Sequence, residues 1–287
     1  MFLGMAMARN VLVSILIFFC AKSSFAQEPD STLLQAGIAQ KMYWGAVKSL
    51  AWYDIPIATV DLAELAFVSS TATNKPIKFP PTDFDKKFQA HLGVHGSHTI
   101  VGQVNEAGAA AFLGIRLLVN VGADLAGGNV TREDYHRTFW FYKSIVYTYS
   151  LTLLTKDIVY RLRPDGSDGQ SFFSGHSSTA FCTASYLSLE LNDWFNRWEK
   201  TRADDGLRST LKIGSTVALY AGATYVAYSR MHDEKHYFSD VAVGATVGTV
   251  VGMWMYHWHW SGDRSYGEDL SFFVVHRTPT VLVTVRF

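Results

Sequence analysis

Apolar and polar positions divide this chain into helical stretches separated by short polar breaks, and the period changes only near the C-terminus. From Gln27 to about Thr99 several amphipathic pieces follow one another. Residues 44–67 are apolar in composition, yet Lys48, Asp54, Asp61 and Glu64 interrupt them, as in a surface-packed helix rather than a lipid-facing span. The run KPIKFPPTDFD, Lys75 to Asp85, predicts a turn region. Residues 106–125 read as a helix of small residues closed by Gly127-Gly128. Thr131 stands as N-cap of a long helix that runs past Lys156 and ends at Pro164. After the loop Asp165 to Gln170, a helix is expected from Ser177 to about Leu191, then a polar helix or loop from Asp193 to Ser209. Residues 213–228 and 241–256 are uncharged helices, the second with Gly244, Gly248 and Gly252 at every fourth position, so that another helix can approach that side closely. His257 and His259 alternate with Trp258 and Trp260 as an interfacial aromatic cluster. The tail, DLSFFVVHRTPTVLVTVRF, has two alternating or β-branched runs flanking His276 to Thr280 and predicts a short terminal hairpin. The fold class expected is an all-α helical bundle with that hairpin appended.

Composition narrows the picture. A chain of 287 residues is long enough for one domain of about 250 residues with a substantial core. The first 26 residues have Arg9, the apolar run Val11 to Cys20 and a small-x-small site at Ser24-Phe25-Ala26, the pattern of an export signal cleaved before Gln27. Basic and acidic residues number 25 each, and losing Arg9 and Lys22 with the leader leaves a slight acidic excess, so nucleic acid is not an expected partner. Cys182 alone remains after cleavage, which rules out an intrachain disulfide and suggests core packing. A periplasmic bundle touching a membrane surface is favoured over an integral protein, since the uncharged segments are rich in Gly, Ala and Thr and mean hydropathy is only +0.07.

Candidate chemistry centres on YSRMHDEKHYFSD, Tyr228 to Asp240. With a helix from about Met231, His236 and Asp240 share one face and the carboxylate lies against the imidazole, fixing its tautomer. Upstream, Lys156 and Arg163 are separated by seven positions, about 20° short of two turns, and so project from one helical face. Ser174-Gly175-His176 sits where a loop becomes a helix, whose start offers unpaired N–H groups and a positive dipole end, with Gly175 allowing close approach of an anion. Two metal arrangements stay open beside this: His91, His95 and His98 on one helical face or in a loop, and His232, His236 and Asp240 on one helical face.

These three blocks, Lys156 with Arg163-Pro164, Ser174-Gly175-His176, and Ser229-Arg230 with His236 and Asp240, together resemble the signature of the type 2 phosphatidic acid phosphatase and vanadium haloperoxidase superfamily. The resemblance covers about a third of the chain in the family's order, and departs from it at Phe173, where the family usually has Pro. It implies a helical bundle of that superfamily's type, with residues 27–130 an N-terminal helical part of the same domain, 131–261 the catalytic helical core and 262–287 the hairpin and tail. It implies that Lys156, Arg163, Ser174, Gly175 and Arg230 bind phosphate. His236, held by Asp240, is then the nucleophile that forms a phosphohistidine, and His176 the group that protonates the leaving alkoxide and later activates water. The activity implied is hydrolysis of phosphate monoesters, lipid phosphates or pyrophosphates without metal or cofactor, vanadate acting as inhibitor. Two alternatives accompany it: a haloperoxidase holding vanadate as cofactor in the same pocket, and a His/Asp metal-dependent hydrolase.

Overall fold

The structure, a computed structural model, describes residues 37–51, 54–57, 59, 75–128, 130–263, 271–275 and 278–282, with the backbone alone for 101–112, for 259–263 and for the last two strands. The expected export signal, and the acidic positions Asp61 and Glu64, lie outside them. In chain order the elements are α1 (Ile38–Ser49), β1 (Ile77–Lys78), α2 (Asp83–Leu92), α3 (Ile100–Leu125), α4 (Arg132–Ile158), β2 (Val159–Tyr160), α5 (Gly175–Arg197), α6 (Glu199–Arg202), α7 (Asp205–His232), α8 (Phe238–Asp263), β3 (Ser271–Val275) and β4 (Thr278–Leu282). The class is all-α, as the sequence pattern leads one to expect.

Local chemistry explains most of these bounds. Thr131 caps α4 in a full capping box: its side chain accepts from the Asp134 amide, and Asp134 accepts from the Thr131 amide at 2.8 Å. Thr82 and Asp85 do the same for α2. The end of α4 differs from the sequence reading. The helix stops at Ile158, where the β-branched and aromatic pair Val159-Tyr160 turns extended and pairs in parallel with Ile77 and Lys78. Arg163 is therefore off the helix, and Lys156 and Arg163 do not share a helical face. At the C-terminus β3 and β4 pair antiparallel from Ser271↔Leu282 to Val275↔Thr278, so Thr278 to Thr280, read from the sequence as lying between the two runs, belong to the second strand.

The core is built where α4, α5 and α8 meet, around Trp140, Phe141, Ile145, Tyr186, Met255 and Tyr256. Charged residues inside the bundle are paired. Lys143 donates to the Ser49 carbonyl and lies 2.8 Å from Asp54, tying α4 to the chain after α1, and Arg116 of α3 makes two 2.7 Å bonds to Glu190 of α5. Helices α5 and α8 run parallel in backbone contact. A Cβ on Gly244 would meet the Ser174 carbonyl at 2.6 Å, one on Gly248 the Ser178 carbonyl at 2.0 Å, and one on Gly252 the Cys182 carbonyl at 2.6 Å. This contact brings the N-termini of α5 and α8 to the same end of the bundle.

That contact generates a test. Gly248→Ala should lower stability by about 1–3 kcal/mol, because two backbones must move apart. Gly222→Ala on α7, where nothing lies within 4 Å of a new Cβ, should raise it by about 0.5–1 kcal/mol. Thermal unfolding of both variants checks this, and equal shifts would contradict the close packing described.

Candidate active site

The segment between α7 and α8 is a turn followed by a helix start. Glu234 has a positive φ of 53°, α7 has ended at His232, and Asp240 stands in the first turn of α8. His232, His236 and Asp240 thus do not lie along one helical face, contrary to the sequence expectation. Among the described residues no group of three or more His, Cys, Asp or Glu is placed to hold a metal ion. His91 belongs to α2 while His95 and His98 follow it in a loop, where exposed His95 meets Glu234 at 2.9 Å. The turn is clamped on both sides. Thr99 and Ser97 donate to Asp233, Val94 donates to the His232 carbonyl, and Asp165 donates its amide to the Glu234 carbonyl while its side chain pairs with Lys235.

His236 is buried, and its Nδ1 lies 2.6 Å from the Ser171 carbonyl. A carbonyl only accepts, so Nδ1 carries the hydrogen and Nε2 keeps its lone pair. Asp240 comes within 3.9 Å of Nδ1 with Oδ2, beyond hydrogen-bond range. The tautomer is fixed by a backbone oxygen that sequence reasoning missed. Burial, and then the charges of Arg163, Lys156, Arg230 and His176, push the imidazole well below the usual histidine range, so it is neutral near pH 7.

Three of those neighbours, Lys156, Arg163 and Arg230, are predicted phosphate ligands and the fourth, His176, is the predicted proton donor, so the fold brings them together near one imidazole. Each cation is held by an oxygen of the protein. Lys156 Nζ donates to the Gln170 carbonyl at 2.7 Å, Arg163 Nε to Asp168 at 2.6 Å, and Arg230 Nη1 lies 3.5 Å from Asp233. Ser174 is fully buried as N-cap of α5; its amide donates to the Asp240 carbonyl at 3.1 Å and its hydroxyl accepts from Ser177. Gly175 and His176 open that helix, whose first amides lack intrahelical partners. Four more residues join the surroundings without a sequence signal strong enough to find them. Lys75 donates to the Lys156 carbonyl and adds positive charge beside it. Ser171, Arg161 and Asp85 connect to Asp240, and Asp85 lies 76 positions from Arg161, with nothing in the spacing to link them.

Burial, then Arg163, lower the Lys156 ammonium to about 7, with Asp168 and Asp240 opposing and Lys75 adding to the fall. An anion beside Lys156 favours its charged form, so oxyanion binding takes up a proton above about pH 7 and must weaken as pH rises. Sulfate, whose own charge is constant in this range, should lose affinity by up to about tenfold per pH unit above neutrality, read by calorimetry. Lys156→Met should bind more weakly at pH 7 and lose the slope; a slope that survives in the variant contradicts the assignment.

Comparison with known proteins points to one superfamily. Residues 137–264 match the PAP2 superfamily. Lipid A 1-phosphatase of Porphyromonas gingivalis is 34% identical over 115 residues, covering 39% of this chain and 21% of that protein. A PA-phosphatase related-family protein of Dictyostelium discoideum is 27% identical over 157 residues, 50% of this chain and 56% of that protein. Phospholipid phosphatase 2 of Rattus norvegicus is 38% identical over 81 residues, 28% of this chain and 26% of that protein. The chain thus spans between about a fifth and just over half the length of these relatives. No solved structure matches. The matched residues, 137–264, carry all three sequence blocks and every group gathered around His236 save Lys75 and Asp85, so the similarity to the PAP2 superfamily falls on the candidate site itself.

Proposed function

We propose that this protein is a phosphatase that hydrolyses lipid phosphate monoesters without a metal, through a phosphohistidine on His236. One observation carries the reading: a buried, neutral imidazole with its Nε2 lone pair available stands among Lys156, Arg163 and Arg230. A phosphate monoester brings about two negative charges that must be neutralised before a nucleophile can approach. The three cations do this, the arginines through forked contacts, and Ser174 with the Gly175 amide adds hydrogen bonds to the equatorial oxygens.

The reaction then balances in two steps. Nε2 of His236 attacks phosphorus, the P–O ester bond breaks, and the alkoxide takes a proton from His176. Water attacks the phosphohistidine, gives a proton back to His176, and the P–N bond breaks to release phosphate. Asp240 at 3.9 Å offsets the charge that appears on the His236 ring while it carries the phosphoryl group.

The names of the relatives, lipid A 1-phosphatase and phospholipid phosphatase 2, support a lipid as the alcohol. The surface supports it too. Leu118, Val119 and Leu125 on α3, Ile213 and Val217 on α7 and Val250 on α8 are each more than half exposed, apolar surface that a membrane contact would cover. Among the described residues one stretch, Phe238–Trp258, is long and apolar enough to cross a membrane. We place the protein at a membrane on these grounds, with export by the first 26 residues setting it on the periplasmic face.

Phosphatidic acid in mixed micelles should release phosphate with the activity unchanged by EDTA and inhibited by vanadate. His236→Ala should lower the rate by roughly a thousandfold or more, and acid-labile phosphate trapped on the wild type should be absent from the variant. Loss with EDTA and recovery with zinc, or halide oxidation requiring vanadate without phosphate release, would overturn the proposal. On fractionation the protein should sediment with membranes; recovery in the soluble fraction would remove the lipid contact.

A further inference from the structure

We propose that Ser171 and Arg161, the latter braced by Asp85, are positioning residues that divide the Asp240 carboxylate between two tasks and so hold the His236 imidazole on line. The inference rests on the phosphoryl-transfer reading above and concerns residues outside the three sequence blocks' matched positions.

Ser171 acts with two groups at once. Its carbonyl accepts from His236 Nδ1 at 2.6 Å, and its hydroxyl donates to Asp240 Oδ2 at 2.6 Å. The Tyr237 amide also donates to Oδ2, at 2.8 Å. Oδ1, the other oxygen, lies 2.8 Å from Arg161 Nη1. The carboxylate therefore cannot rotate without losing partners at both ends, and Oδ2 stays directed toward the ring.

Arg161 has no exposed side-chain surface, and its terminal nitrogens are committed to Asp85, Asp240 and the Ser239 hydroxyl rather than to a substrate phosphate. Its Nη2 donates to Asp85 at 2.7 Å and its Nη1 to the Ser239 hydroxyl at 2.9 Å, which in turn donates to Asp85 at 2.9 Å. Arg161 and Ser171 are also locked to each other through the backbone. The Ser171 amide donates to the Arg161 carbonyl, and the Arg161 amide to the Gly169 carbonyl, both at 3.0 Å. With two carboxylates around one guanidinium, the cluster retains one buried negative charge beside the imidazole. That charge gains value in the step where the ring, carrying the phosphoryl group, becomes cationic.

A positioning role separates from a merely structural one in kinetics. Ser171→Ala removes one hydroxyl and leaves the carbonyl in place. It should lower kcat about ten- to a hundredfold, the range typical of groups that orient a reacting side chain, with KM and sulfate affinity within about twofold of wild type. In an Asp240→Asn background the same change should cost less than about twofold, since its effect passes through the carboxylate. Arg161→Lys should recover part of the kcat lost in Arg161→Met, again with sulfate affinity kept. Should the Arg161 variants not fold, the Ser171 cycle alone decides. An unchanged kcat in Ser171→Ala, an equal loss in both backgrounds, or loss of sulfate affinity in parallel with kcat would overturn the proposal. If His236→Ala still releases phosphate, the phosphatase mechanism fails and this proposal with it; if His236→Ala is inactive while Ser171→Ala matches wild type, only the positioning role fails.

Discussion

A guanidinium with no exposed atoms lies between two carboxylates, and much of the rest of the site is arranged to make that tolerable. Burying Arg161 costs several kcal/mol, on the order of the desolvation of any ion in a protein interior. The cost is offset only by contacts from many directions: Asp85, Asp240, the Ser239 hydroxyl, and the rings of Phe79 at 4.8 Å and Tyr237 at 5.0 Å from the guanidinium carbon. Those contacts, with the Ser171 amide that donates to the Arg161 carbonyl, join four stretches of chain that otherwise have no reason to meet. The chain around the start of α2, the extended run after α4, the loop before α5 and the start of α8 are pinned at one point, and His236 stands beside it.

The cations near the imidazole are arranged on the same principle. Lys156, Arg163 and Arg230 would repel one another if left unpaired, and each instead faces a carbonyl or carboxylate that fixes its direction. The site is thereby set before any anion arrives, and little reorganisation is left to oppose binding or reaction. Burial, and then the repulsion that remains, lowers the proton affinity of Lys156 and His236, with Arg163 pressing on both. The proposed nucleophile and the proposed anion hole are therefore two aspects of one charge distribution.

Features governed by near neighbours in sequence were legible there. The Thr131 cap needs only Asp134 three residues on, and the Gly244, Gly248, Gly252 spacing declares a close helix contact on its own. That Lys156, Arg163, Arg230 and His176 belong with His236 was legible through the three blocks. The end of α4 was not, because Val159 and Tyr160 leave the helix to pair with residues some eighty positions earlier. The relation of His236 to Asp240 was misread for a similar reason: a four-residue spacing fits a helix, but Glu234 takes a positive φ and the chain turns before it. Ser171 escaped notice because the carbonyl oxygen it lends to His236 belongs to every residue alike and leaves no mark in composition.

The parallel contact of α5 and α8 has one more effect. Peptide dipoles in two helices laid side by side in the same sense repel, and their amino ends, near Gly175 and Phe238, crowd like partial charges together. This is a standing electrostatic tension at that end of the bundle, kept in check by the interlocked backbones. The tetrahedral oxyanion proposed to bind there would relieve it. On that proposal occupancy and cohesion are thermodynamically linked, and the molecule is tightest when it holds its cargo.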